Sequence, residues 1–292
     1  MTSKNILITG SSSGLGKDAA LTLARHGHYV FASMRNSQTV NLEAQRELLG
    51  TAKKEELALE VVDLDITNAE SIRDAVNTVI NSAGHIDVLV NNAGYGGYGW
   101  TESFYTQQIR EMFEVNFFGI LELNREVLRH MRRQRQGTII HITSILSKLP
   151  TEFMSAYNAS KFALDGYAES LNMEMSRFGA QSLILQPGFF STDFAKNMFY
   201  PSDTERNNEY NDLAQLPMQT LQGFGAVLEM MPPVTRASEA LLTLIETPAH
   251  ERPLRTVVSG QPFATLVDDI NKATTLATKA LQEAFRKSAA VQ

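Results

Sequence analysis

Ile6-Leu7-Ile8-Thr9-Gly10-Ser11-Ser12-Ser13-Gly14-Leu15-Gly16 is the stretch that decides the fold. Three apolar residues in a row read as a short strand buried on both faces, and a helical pattern runs from Leu15 to His26. A glycine-rich turn between strand and helix is the setting in which such a turn binds phosphate. Gly10 permits a tight turn. Gly14 lacks a Cβ, so backbone amides can approach a pyrophosphate, and Gly16 lets the helix pack close to the sheet. Free amides at the helix start, with the helix dipole behind them, favour the anion.

The same unit repeats outward from this turn. Tyr29 to Ala32, Leu57 to Val62, Ile86 to Val90, Thr138 to Ile142 and Ser182 to Leu185 read as further strands. Helices are predicted from about Asn68 to Asn81, Gln107 to Arg133 and Glu152 to Phe178. Short apolar strands alternating with amphipathic helices imply an α/β protein with a parallel sheet covered on both faces. The predicted architecture is a Rossmann-type doubly wound parallel sheet of about seven strands, the seventh from Arg255 to Ser259. Val234 to Glu246 reads as a helix and Thr265 to Ser288 as a helical C-terminal tail.

No composition shift marks a linker, so a single domain over 1–292 is expected, with a cofactor-binding and catalytic core over 1–188. The segment 189–233 is long, interrupted by Pro201, Pro217, Pro232 and Pro233, and reads as a substrate lid or a disordered insertion. The last helix, strand and tail occupy 234–292.

Of the 292 residues, 43% are hydrophobic, enough for one large core. Net charge is −6, and the one dense basic run, Arg129 to Arg135, falls at a predicted helix end where cations meet the helix dipole and water. A nucleic-acid partner is not expected. The absence of cysteine excludes disulfides and thiolate zinc sites, and no metal is expected. The N-terminus lacks a signal peptide's apolar run, and no stretch reaches the roughly 18 apolar residues of a membrane span. These features point to a cytoplasmic protein.

Tyr157 and Lys161 lie four apart on a predicted helix and share one face. Ser144 follows the fifth strand, at the edge where doubly wound sheets place ligands, and Asn116 lies inside the long preceding helix. A carbonyl that accepts a hydride becomes an alkoxide and must gain a proton. An ammonium near a tyrosine favours the phenolate and lowers its pKa toward neutrality. Ser144 can hydrogen-bond the developing oxyanion. At the end of the second strand, an NAD binder carries a carboxylate for the ribose hydroxyls. Arg35 stands there instead, a cationic fork suited to a 2′-phosphate, which favours NADP(H) over NAD(H).

The Thr-Gly-x-x-x-Gly-x-Gly spacing, Asn91-Asn92-Ala93-Gly94, and Tyr157-Asn158-Ala159-Ser160-Lys161 together resemble the short-chain dehydrogenase/reductase family, over roughly Asn5 to Thr192. The resemblance implies a catalytic tetrad of Asn116, Ser144, Tyr157 and Lys161. It also implies that Gly10, Ser12, Ser13, Gly14, Leu15 and Gly16 cradle the cofactor. Asp65 and Ile66 match the pair that contacts adenine. Asn92 braces the sheet, while Ala93 and Gly94 line the cofactor cleft. Lys161 also holds the nicotinamide ribose, and the Asn116 backbone anchors a proton-relay water. Pro187, Gly188 and Thr192 match the motif that meets the nicotinamide carboxamide. Gln186 and Phe190 depart from it at variable positions. A homodimer or homotetramer is implied by the family's helix-mediated assembly.

Tyr95, Phe153, Phe189, Phe190 and Phe194, with Met198 and Phe199, are candidate walls of an apolar substrate cleft, though several could simply pack the lid. The Ser-Met-Arg-Asn segment and the aromatic lid are similar to hydroxysteroid and retinol dehydrogenases. The expected activity is hydride transfer between NADP(H) and a carbonyl or secondary alcohol. An NADP-binding sensor or scaffold, and an epimerase or dehydratase, are the alternatives.

Overall fold

A computed structural model describes residues 2–192, 194–229 and 231–289, with the side chains of 224–229 and 288–289 left aside. Met1, Asp193, Met230 and 290–292, which fall in the expected domain and lid, lie outside the described residues. The strands are β1 (Asn5–Ile8), β2 (Tyr29–Met34), β3 (Leu59–Asp63), β4 (Val88–Asn91), β5 (Gly137–Ile142), β6 (Ala180–Pro187) and β7 (Arg255–Val258). They form one parallel seven-stranded sheet in the order β3-β2-β1-β4-β5-β6-β7. The chain order reverses between β1 and β4, and a crevice opens there beyond the strand ends.

The helices are α1 (Gly14–Arg25), α2 (Leu42–Lys54), α3 (Ala69–Ala83), α4 (Thr106–Phe113), α5 (Gly119–Gln134) and α6 (Ser155–Met175). They continue as α7 (Thr204–Asn208), α8 (Leu216–Glu229), α9 (Thr235–Glu246) and α10 (Phe263–Ala289). On one face Leu23 of α1, Leu48 of α2 and Leu241 of α9 pack on Ile6, Ile8 and Val90. On the other, Val76 of α3, Val127 of α5 and Leu164 of α6 pack on Leu7, Leu89 and Ile139. Alternate strand residues thus enter opposite cores, which is why β1 and β4 are apolar without interruption.

Two sequence expectations change. Helix α2 carries only Leu48 and Ala52 buried among charged neighbours, too weak a stripe to read. The single helix predicted from Gln107 to Arg133 is α4 and α5 joined by a π-type turn at Glu114–Phe118. That turn holds Asn116, and such insertions are concentrated at functional sites. Between Ser191 and Pro233 the described residues include the helices α7 and α8, and Phe194, Met198 and Phe199 join a third cluster with Tyr98, Met154 and Tyr157.

Candidate active site

The first turn is built around close approach. Gly10 has a φ of +70°, and a Cβ there would lie 2.9 Å from the Cα of Ala93. A Cβ on Gly16 would fall 2.2 Å from the Gly10 carbonyl oxygen, so only glycine fits where α1 meets the turn. Asn92 Nδ2 donates to the Thr9 carbonyl at 2.8 Å, and the amides of Asn92 and Ala93 donate to Thr9 Oγ1 at 3.0 and 2.9 Å. Asn92 therefore locks the end of β4 to the phosphate turn. Ser12, Ser13, Gly14 and Leu15 line the cleft beside it.

Arg35 follows β2, exposed at the cleft mouth, and among the described residues no acid ion-pairs with it. Asp65 and Ile66 line the same mouth after β3. The Asp65 carboxylate is already committed to its own turn, accepting from the Thr67 amide at 2.9 Å and from Thr67 Oγ1 at 2.7 Å. Ala93, Gly94, Pro187, Gly188 and Thr192 line the cleft's middle.

The tetrad residues converge at the end of β5. Ser144 caps a tight turn over Ile145–Ser147, its Oγ accepting from the Leu146 amide at 3.1 Å. Tyr157 lines the same cleft as Ser144. One turn along α6, Lys161 Nζ donates to the Ile142 carbonyl at 2.9 Å and stands 5.7 Å from the centre of the Tyr157 ring. Asn116 Nδ2 donates to the Tyr95 carbonyl at 2.9 Å and to Ser160 Oγ at 3.1 Å, while its Oδ1 accepts from the Tyr95 amide at 3.0 Å. Its side chain thus fastens the π-type turn to the loop after β4.

The electrostatics correct one expectation. Burial pushes the Tyr157 hydroxyl well above its ordinary value, with Ser144 opposing. Lys161, nearby, is bonded to the Ile142 carbonyl and is itself shifted. Burial lowers the ammonium to about 8, against an upward pull from Asp165. The reason is desolvation: neither charged form is favoured where water is excluded.

The cleft has a volume of about 1330 Å³. Tyr95, Phe189, Phe190, Phe194, Met198 and Phe199 line it, as expected of an apolar wall. Phe153 does not line it. With φ at +62° its side chain packs against Tyr98 and Trp100, ring centres 5.8 and 5.0 Å away. Residues unforeseen from sequence also line the cleft, among them Leu149, Met154, Leu221 and Phe263. The last is the first residue of α10, whose position over the cleft has no local sequence signal.

Gln186 is buried rather than incidental. Its Nε2 donates to Asp165 Oδ2 at 3.0 Å, and its Oε1 accepts from Asn271 Nδ2 of α10 at 2.7 Å. No motif spacing marks this group, because its members come from α6, β6 and α10.

Residues 4–202 match the family model described as short chain dehydrogenase. The chain is 37% identical over 207 residues to a 3-ketodihydrosphingosine reductase of Bacteroides thetaiotaomicron, covering 71% of each. It is 36% identical over 196 residues to retinol dehydrogenase 8 of Bos taurus, covering 65% of this chain and 60% of that one. A short-chain dehydrogenase from Streptomyces avermitilis has a similar structure, with a TM-score of 0.76, 28% identity and 97% and 98% of the two chains covered. An actinorhodin polyketide ketoreductase with NADPH superposes at a TM-score of 0.73, 25% identity, over 88% and 96% of the chains. A family member from Burkholderia phymatum in complex with NAD shares the fold at a TM-score of 0.77 and 20% identity, over 94% and 95%. The family match and the fold place the chain among oxidoreductases with a Rossmann-type sheet. The chain belongs to the short-chain dehydrogenase family. No helix among the described residues is long and apolar enough to cross a membrane.

Proposed function

We propose that this protein reduces a ketone or aldehyde on an apolar substrate with NADPH, or oxidises the matching alcohol with NADP+. The observation that carries the reading is that Tyr157 and Ser144 line one cleft, with Lys161 one helical turn along and held by the Ile142 carbonyl.

The residues fit a dinucleotide. The first turn is a cradle that a Cβ on Gly10 or Gly16 would fill, and Gly10, Ser12, Ser13, Gly14, Leu15 and Gly16 would hold the pyrophosphate. Asp65 and Ile66 would flank the adenine. Arg35, without an acid partner among the described residues, supports a 2′-phosphate and hence NADP(H). Ala93, Gly94 and Lys161 would face the nicotinamide half from one side, and Pro187, Gly188 and Thr192 from the other. When bound, the dinucleotide supplies or accepts the hydride.

The chain's own residues do the rest. Tyr157 keeps its proton through neutral pH, because burial raises its pKa. A protonated phenol is the donor that a developing alkoxide needs. Ser144 Oγ offers a second hydrogen bond to that oxygen and helps to localise it beside Tyr157. Lys161 brings positive charge to the same pocket, and its bond to Ile142 fixes where that charge stands. Tyr95, Phe189 and Phe194 exclude water from the substrate end. The segment 189–233 acts as the lid, and the whole chain works as a single domain. Exposed Phe118, Phe162 and Met173 on and beside α5 and α6 support a homodimer or homotetramer through those helices. A cytoplasmic setting suits a chain without cysteine.

The test is absorbance at 340 nm with a panel of apolar ketones and aldehydes, NADPH and NADH in parallel. Faster NADPH loss with any member is the expected result. Cofactor binding without turnover on a broad panel would favour a sensor instead.

A further inference from the structure

A line of polar residues runs down one face of α6 below the candidate site: Tyr157, Lys161, Asp165 and Glu169, each four after the last. The first two face the cleft. Asp165 is buried, with 2% of its surface exposed, and the reading above gives it no role.

Its surroundings are built. Ser147 Oγ lies 2.7 Å from Asp165 Oδ2 and 2.7 Å from the Ser144 carbonyl oxygen. Gln186 Nε2 donates to the same Oδ2 at 3.0 Å, and Lys148 Nζ stands 3.2 Å from it. Ser144 and Ser147 belong to one tight turn, so Asp165 grips the far side of the turn whose near side carries the Ser144 hydroxyl. Gln186 in turn accepts from Asn271, which docks α10 on the cluster. Burying a carboxylate is costly unless it is paired and hydrogen-bonded. A purely apolar contact between α6 and β6 would serve packing as well.

We propose that Asp165 is a positioning residue of the catalytic centre: it holds the Ser144 turn through Ser147 and faces Lys161 with a negative charge from the next turn of α6. The inference rests on the reading of Tyr157 and Lys161 given above. The charge matters because Lys161 is buried, with desolvation favouring its neutral form and Asp165 opposing that. The other titratable or charged groups around the pair are Tyr157 on α6, His141 on β5, Lys148 in the turn, and Glu169, which is ion-paired to Arg255 of β7. Lys148 Nζ stands against Asp165, whereas Lys161 feels the carboxylate from one helical turn away; burial raises the carboxyl's own pKa, and Lys148 opposes that rise most.

The Lys161 titration tests the electrostatic half without requiring turnover. NMR of protein carrying 13C-labelled lysine follows it, the Lys161 signal being identified by its loss in Lys161→Met. In Asp165→Asn the midpoint should fall by about one unit. An unmoved midpoint in folded protein overturns the proposal. Ser147→Ala keeps the carboxylate, so the midpoint should stay while kcat on the best panel ketone falls about tenfold. Wild-type kcat in that variant overturns the positioning role, and it decides alone if Asp165→Asn does not fold. If wild-type protein turns over no ketone, the reductase reading fails and the titration still decides this one.

Discussion

Lys161 Nζ donates to the carbonyl oxygen of Ile142, 2.9 Å away, and so ties the middle of α6 to the last residue of β5. Ser144 follows two residues after Ile142, and Tyr157 precedes Lys161 by one turn. One bond therefore sets the registry of the strand end against the helix that carries Tyr157.

That bond holds an ammonium whose pKa is lowered by burial to about 8. Below that pH Lys161 is charged, and above it the charge is lost. Ketone reduction by NADPH should therefore fall as pH rises through about 8, with cofactor binding measured separately. A kcat that stays level to much higher pH would show that the ammonium is not required.

Arg35 stands at the cleft mouth with no acid partner among the described residues. Arg35→Asp should lower the ratio of kcat/KM for NADPH over NADH by about tenfold or more, since a cation that pairs with phosphate is replaced by an anion that repels it. An unchanged ratio would remove Arg35 from the phosphate site.

The approach at Gly16 leaves no room for a methyl group. Gly16→Ala should destabilise the protein by about 1–3 kcal/mol in urea unfolding and weaken NADP binding at the same time. The two losses share one cause, displacement of the Gly10 carbonyl or the Asn92 side chain. Stability loss with unchanged NADP affinity would separate the turn from the nucleotide.

His141 sits on β5 opposite Asn91 of β4, fully buried, and burial first, then Lys161, push its imidazole down to about 3. The unfolded chain takes up that proton below pH 6.5, whereas the folded chain resists it until about 3. Between those values the unfolded state binds more protons, so this contribution to stability is lost as pH falls. The thermal midpoint should drop more between pH 7 and pH 5 in wild type than in His141→Leu. Equal drops would mean that other groups govern the acid response.

The sheet was legible because each strand is a short apolar run before a turn, and parallel order follows from the helices between them. Ser144, Tyr157 and Lys161 were expected near one another because Tyr157 and Lys161 share a helix face and Ser144 ends a strand, and all three line one cleft. What lay beyond reach came from distant chain segments. Helix α2 buries only Leu48 and Ala52 fully, with Ala44 packing beside them. Phe153 has the composition of a pocket wall, but its left-handed backbone directs it to Tyr98 and Trp100. Gln186 gains its importance from Asp165 and Asn271, 21 and 85 residues away. Spacing shows the lysine near Tyr157 but not the depth of burial, which raises the hydroxyl's pKa.

The central claim is that Tyr157 donates the proton. Its most direct test is Tyr157→Phe, assayed by NADPH loss at 340 nm with the best panel ketone, with NADP binding measured on the same sample. In that variant kcat should fall by about 10²–10⁴ while NADP affinity stays at the wild-type value. Turnover equal to wild type would contradict it.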